Sequence, residues 1–289
     1  MSAKHELISN VHERSERNKA FWLLWRFSKW FGTVQALESL PEQGTPSEFC
    51  QAIVTGLNLE VSTQLPEWAQ SETGHGVLIY GPHSFHLEPY ILLSVLSQRD
   101  VYFVAQQSAR LFTPQAYQDK LLLVSPSHLA HDARKIRGIG GIMQRAKRAL
   151  FASEDMRSTQ EIKETNLQTL HRASELLKDG KVVIIFPTAS ANIYKNNWHA
   201  GIGQIIAPLV ANNANVLLQP FDITNLSFIQ LLFELRKKFV KHKLGSLIPV
   251  EIGWEGAQNL ADMQNQLNDS DPNKIVRKLR DQYTANTRT

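Results

Sequence analysis

The spacing of apolar residues changes along the chain. From about 17 to 60 they recur at helical intervals, broken by the turn-forming stretch ESLPEQGTPSE, where Pro41, Gly44 and Pro46 interrupt the pattern. Ser47, with Glu48 beside it, is placed to start a second helix. A polar stretch follows at about 62–75. Beyond it, short apolar runs predict buried strands: GVLIY (76–80), VYFVA (101–105), KVVIIFP (181–187), NVLLQPF (215–221) and SLIPVEI (246–252). Helical segments lie between them. EPYILLSVLS is one, and the region 134–179 is another, clearest at 160–179. There Ile162, Leu167, Leu170, Ala173, Leu176 and Leu177 share a face, and Gly180 ends the helix. DPNKIVRKLRDQY reads as a last helix, capped by Asp271 and opened by Pro272.

Strands alternating with long helical segments predict an α/β fold, with a mostly parallel or mixed central sheet flanked by helices and preceded by an N-terminal helical segment. The expected division is a helical region at 1–60 and an α/β domain at 61–289. No internal repeat is apparent.

Composition narrows the class. Of 289 residues, 43% are hydrophobic, which excludes a chain that is mostly disordered. The single cysteine, Cys50, excludes an intramolecular disulfide and fits a reducing compartment; with no base near it in sequence, it reads as a core residue. The net charge of +4 is carried by the segment 226–243, and the rest of the chain sums to zero. Nucleic-acid binding needs positive charge spread along a face, so no such partner is expected.

Two segments point towards a membrane surface. The first 20 residues are polar and mixed in charge, unlike a signal peptide. FWLLWRFSKWFGTVQAL (21–37) is too short, and too interrupted by Arg26 and Lys29, to span a bilayer. Its stripe of Leu23, Phe27, Trp30, Val34 and Leu37 suits either a helix at a membrane interface or one packed on the protein body. The basic 226–243 segment has the same two readings. It can hold an anionic leaflet, or be a surface helix whose Phe228, Leu231, Leu232, Leu235 and Phe239 pack inward.

In an open α/β sheet, chemistry belongs where strands give way to loops. After the first strand comes GPHSFHLEPY, with His83, His86 and Glu88. Glu88 can accept the Nδ1 hydrogen of His83 and leave Nε2 free to take a proton from a hydroxyl; alternatively, the histidines are ordinary loop residues. His83, His86 and Glu88, together with His75, His128 and His131, form no recognised metal-binding spacing, and no metal or cofactor is expected. GIGG at 138–141 lacks the strand and spacing of a dinucleotide loop, and there is no nucleophile elbow or P-loop.

The order of these segments resembles the glycerolipid acyltransferase superfamily, the lysophosphatidate and glycerol-3-phosphate acyltransferases, over about 70–285. The family's Asn-His-x4-Asp-Pro is similar to Pro82-His83-Ser84-Phe85-His86-Leu87-Glu88-Pro89, and its Phe-Pro-Glu-Gly-Thr to Phe186-Pro187-Thr188-Ala189-Ser190. Trp198-His199-Ala200-Gly201 resembles its Phe-Lys-x-Gly step, and Leu217-Leu218-Gln219-Pro220-Phe221 its proline-bearing motif. For the motif that supplies an arginine there are two candidates, Arg145 after GGIMQ and Arg157, with Arg148 a third.

The resemblance implies transfer of a fatty acyl group from a thioester, acyl-CoA or acyl carrier protein, to a hydroxyl of a lipid acceptor. His83 would be the general base and Glu88 its orienter. Arg145 or Arg157, with Thr188, Ala189 and Ser190, would bind substrate. The enzyme would be cytoplasmic and peripheral at the inner face of an anionic membrane. This chain departs from the pattern at three places. Glu88 replaces Asp, as in the related lipid A secondary acyltransferases; Pro82 replaces Asn; and Thr188-Ala189-Ser190 replaces Glu-Gly-Thr. These departures keep two further readings open, a silent lipid-binding member of the fold and a thioesterase or lipid esterase that uses the same histidine.

Overall fold

A computed structural model of the chain describes residues 8–9, 13, 26–38, 40, 45–71, 74–83, 87–113, 115–125, 157–188, 198–225, 227–266 and 271–286. A helical turn at 26–31 is followed by α1 (Thr33–Glu38), α2 (Pro46–Gly56), β1 (Leu59–Thr63), α3 (Glu67–Gln70), β2 (Gly76–Tyr80), α4 (Glu88–Val95) and β3 (Val101–Gln106). Then come β4 (Leu121–Val124), α5 (Thr159–Lys178), β5 (Val182–Ile185), α6 (Gly201–Ala211), β6 (Val216–Thr224) and α7 (Phe228–Leu235). A π turn at Arg236–Val240 extends α7, and β7 (Ile248–Trp254), β8 (Gln258–Asn259), α8 (Leu260–Gln266) and α9 (Pro272–Asn286) complete the chain.

The chain divides into two compact units. One comprises Met1–Glu60, Ala105–Asn166 and Leu226–Ile248; the other comprises Val61–Val104, Leu167–Asn225 and Pro249–Thr289. The second unit holds the α/β core. Its strands run in the order β1-β7-β6-β2-β5-β3, with β8 beside β6. At the centre, β2 is parallel to both β5 and β6, and β5 is parallel to β3; β7 and β8 run antiparallel to β6. The sheet is therefore mixed, with a parallel centre. All five residues of β2 and all four of β5 are buried, as continuous apolar runs require when both faces of a strand are covered. Helix α6 packs against α9, with Gly203 directly against Pro272. Asp271 caps α9 by accepting the Asn273 N–H at 2.9 Å, as its position before Pro272 predicts.

Two expectations need correction. The second helix starts at Thr45 rather than at Ser47. Thr45 Oγ1 accepts the Glu48 N–H and the Glu48 carboxylate accepts the Thr45 N–H at 2.7 Å, a reciprocal capping box. Pro46 sits at the first helical position, where it has no N–H to leave unsatisfied, so the helix begins earlier than a Ser47 cap would allow. The polar stretch after residue 60 is also more ordered than its pattern implies. It contributes the end of β1, whose Ser62 and Thr63 hydroxyls donate to Val250 and Ile252 carbonyls on β7, and the short helix α3. Only one face of β1 is buried, so its sequence has no apolar run to announce it. The helical expectation for 134–156 lies outside the described residues.

In the first unit, Cys50 is buried in α2, and burial pushes its thiol up to about 12. It is therefore inert as a nucleophile. Within the basic 226–243 segment, residues 228–240 are helical as α7 and its π extension, with Leu231 and Leu235 buried. The stretch at 26–31 lies close to α7. Gly32, at φ +85°, marks the approach, because a Cβ there would sit 2.7 Å from the Leu235 carbonyl oxygen.

Candidate active site

The candidate site is built at the C-terminal end of β2, in the second unit. Tyr80 is the register partner of Ile185 on one side and of Pro220 on the other. The segments leaving β2 and β5 therefore emerge side by side. Gly81 follows Tyr80, and only glycine fits there, since a Cβ would lie 2.5 Å from the Phe221 carbonyl oxygen and from its ring. This close passage carries the chain through Pro82 to His83. Phe186, the first residue beyond β5, stacks on the His83 imidazole with ring centroids 4.4 Å apart and planes 26° from parallel.

Glu88 opens α4 and turns its carboxylate back towards the loop. Its Oε2 lies 3.3 Å from Nδ1 of His83. The glutamate is 1% exposed and the histidine side chain 19%. A carboxylate so deeply buried is costly unless polar partners meet it, and the imidazole is one such partner. The first turn of a helix also favours negative charge. With Nδ1 turned to a buried carboxylate, Nε2 is the nitrogen left for a substrate.

Aromatic side chains pack around this point. Phe186 lies edge-on to Phe221 at 6.3 Å, and Tyr80, Trp198 and Tyr283 form a triangle with centroids 6.0–6.5 Å apart. Tyr283 anchors the C-terminal helix by donating its hydroxyl hydrogen to the Phe221 carbonyl. The strand segment behind is pinned by Gln219. It accepts from Trp68 Nε1 at 2.9 Å and donates through Nε2 to the Pro220 and Glu255 carbonyls. Burial raises the Tyr80 hydroxyl well above its ordinary value, so this phenol stays protonated.

The sequence-predicted residues distribute unevenly. His83 and Glu88 meet. Thr188 is buried two residues beyond Phe186. The His199 N–H donates to the Pro187 carbonyl at 2.8 Å, closing the segment that runs on to Trp198 and α6. Arg157 belongs to the other unit, where its Nη2 donates to Ser125 Oγ at 3.0 Å; Ser125 is in turn held by two backbone hydrogen bonds to the Asn166 amide. Arg145, Arg148, Ala189, Ser190 and His86 lie outside the described residues. The residue that sequence reasoning did not place in the site is Phe186. The signal for it is positional, since the first residue past a central parallel strand emerges beside whatever leaves the neighbouring strand.

The structure is similar to the crystal structure of the 1-acyl-sn-glycerophosphate (LPA) acyltransferase PlsC from Thermotoga maritima. The likeness is distant, at 13% identity and a TM-score of 0.39 over 83% of this chain and 78% of that one. No protein-family model and no curated protein matches the sequence. Among the described residues no helix is long and apolar enough to cross a membrane.

Proposed function

We propose that the protein is an O-acyltransferase that moves a fatty acyl group from an acyl thioester, acyl-CoA or acyl carrier protein, to a hydroxyl of a lipid or lipid precursor. The observation that carries this reading is the contact between Nδ1 of the half-buried His83 and the buried Glu88 carboxylate, 3.3 Å apart. A thioester is already activated, so the enzyme need not form a covalent intermediate. It has to align a hydroxyl, remove its proton and accommodate the developing oxyanion.

In this reading Nε2 of His83 takes the proton of the acceptor hydroxyl as its oxygen attacks the thioester carbonyl carbon. The C–S bond then breaks, and the departing thiolate takes that proton back from the imidazolium. Glu88 fixes the tautomer and steadies the positive charge while it lasts. At 3.3 Å the two atoms approach without the alignment of a formed N–H···O bond, and pairs of this kind align and tighten when substrate binds. Stacking on Phe186 holds the plane of the imidazole.

The acceptor class follows from residue chemistry around the loop after β5. Thr188-Ala189-Ser190 offers hydroxyls without a carboxylate, so recognition of the acceptor headgroup would differ from that of enzymes with Glu-Gly-Thr there. Arg157 or Arg145 would meet an anionic group on the acceptor. The enzyme would work at the inner face of the membrane, where lipid hydroxyls are presented.

The test is direct. The purified protein is incubated with CoA and carrier-protein thioesters and a panel of lipid hydroxyl acceptors. His83→Ala should lower transfer by about 10²–10⁴-fold, and Glu88→Gln by at least roughly tenfold. Release of free acid at the same rate with and without acceptor would make the protein a hydrolase instead. Absence of any turnover in the wild type across the panel would leave the silent, lipid-binding reading.

A further inference from the structure

Six of the seven large apolar side chains that are conspicuously exposed among the described residues fall in the first unit: Phe27, Trp30, Ile229, Phe233, Leu244 and Leu247. Four of them belong to the 26–31 turn and α7, with exposures of 57% for Phe27, 50% for Trp30, 66% for Ile229 and 53% for Phe233. They are joined. Phe31, buried, contacts Phe27 at 4.9 Å, Trp30 at 4.5 Å and Phe233 at 6.2 Å, so one sunken ring ties the two elements into a single aromatic cluster. The Arg236 guanidinium lies 3.7 Å over the Trp30 ring and staples the cluster from its side.

The segments 26–37 and 227–247 hold seven Lys and Arg residues and one carboxylate, Glu234. That carboxylate is buried and taken up by Lys237 Nζ and the Ser246 N–H. Lys238 is turned inward to Asn58 Oδ1 and the Gly56 carbonyl. Arg26, Lys29, Lys241 and Lys243 are exposed.

We propose that this surface is a preassembled docking site for an anionic lipid bilayer. Phe27, Trp30, Ile229 and Phe233 enter the interface, and the exposed cations lie against acidic headgroups. The two segments act as one surface, because Phe31 and Arg236 hold them in a fixed relation before any lipid arrives. Outward aromatic and aliphatic side chains flanked by cations are what an interfacial site requires. A symmetric second copy fits poorly, since it would bring the same cations against each other. Nothing in this surface draws on His83 or Glu88, so each reading can fail without the other.

Flotation of the full chain with vesicles of phosphatidylcholine and phosphatidylglycerol at 7:3, and with phosphatidylcholine alone, tests this. The wild type should float with the anionic vesicles and far less with the neutral ones. Ile229→Ser with Phe233→Ser removes two exposed side chains, should leave the thermal melt unchanged, and should lower partition to anionic vesicles about tenfold or more. Lys241→Gln with Lys243→Gln should weaken anionic binding and flatten its salt dependence. His83→Ala should float like the wild type. The proposal is overturned if the wild type ignores anionic vesicles, or if the serine pair floats undiminished. It is equally overturned if the chain is a dimer that the serine pair splits, or if the surface captures only an acidic carrier protein.

Discussion

Phe186 lies 4.4 Å from the His83 ring and 26° from parallel to it, and strand register is what joins them. Tyr80 and Ile185 are partners across two parallel strands, so the residues that follow them leave the sheet at the same level. Glu88 approaches the same imidazole from the start of α4, at Nδ1. The ring thus has a hydrocarbon face stacked on its plane and a carboxylate near its Nδ1 edge. Two constraints of different physical kind act on one side chain.

If His83 is the proposed base, Phe186 is a positioning residue. Under the proposed mechanism Phe186→Ala should lower kcat by about 10–100-fold while KM changes less, because a small tilt of His83 would misdirect the proton transfer. Phe186→Tyr keeps the ring and should recover most of the rate. Turnover measured beside a thermal melt separates this from loss of fold; a wild-type kcat in the alanine variant would show that the stacking does not position the ring.

Gly81 should tolerate no side chain. In Gly81→Ala the new Cβ would lie 2.5 Å from backbone oxygen and ring atoms of Phe221, and backbone cannot yield as a flexible side chain does. A loss of about 2 kcal/mol in urea unfolding is expected, with a fall in activity as the loop to His83 is displaced. An unchanged unfolding midpoint would mean that the passage beside Phe221 is roomier than its geometry implies.

Gln219 serves three groups at once: the Trp68 indole N–H and the Pro220 and Glu255 carbonyls. Gln219→Leu would strip the partner from each. The expected cost is about 3 kcal/mol, most of it desolvation left uncompensated. Gln219→Glu retains an acceptor for Trp68 but sets a carboxylate against two carbonyls, and should be at least as damaging. Chemical denaturation of the three proteins would decide.

The Lys237 ammonium, hydrogen-bonded to Glu234, holds that carboxyl below its usual value of 4.5; burial opposes the shift and the Ser246 N–H adds to it. A carboxyl with a lowered native pKa stabilises the fold above its unfolded value, and this contribution is lost as pH falls through the native value. Glu234→Gln should therefore be less stable than the wild type by a constant amount from pH 6 to pH 8. The gap should close as pH drops below about 4.5. Melting temperatures across that range give the comparison, and a gap that stays open at pH 3 would contradict the assignment.

Several features were legible before any coordinates. The five apolar runs became β2, β3, β5, β6 and β7 within a few residues; parallel β2 and β5 are apolar throughout because both their faces are covered, whereas antiparallel β7 buries alternate residues. Helix α5 was evident from its stripe and from Gly180, and α9 from Asp271 and Pro272. Strand β1 escaped notice because one exposed face dilutes its pattern. Thr45 was overlooked because Ser47 is the more obvious cap until Pro46 is given its place at the first helical position.

The sequence by itself determined the α/β class and the central strands, since these depend on local pattern; it set an imidazole and a carboxylate five residues apart without deciding whether they meet. Tertiary structure decided what distance in sequence conceals. It set Phe186 against His83 across 103 positions, Gln219 against Trp68 across 151. It also sorted the basic segment into inward and outward faces. Register and packing choose such partners by bringing remote backbone together, and periodicity along one segment carries no information about which other segment will lie beside it.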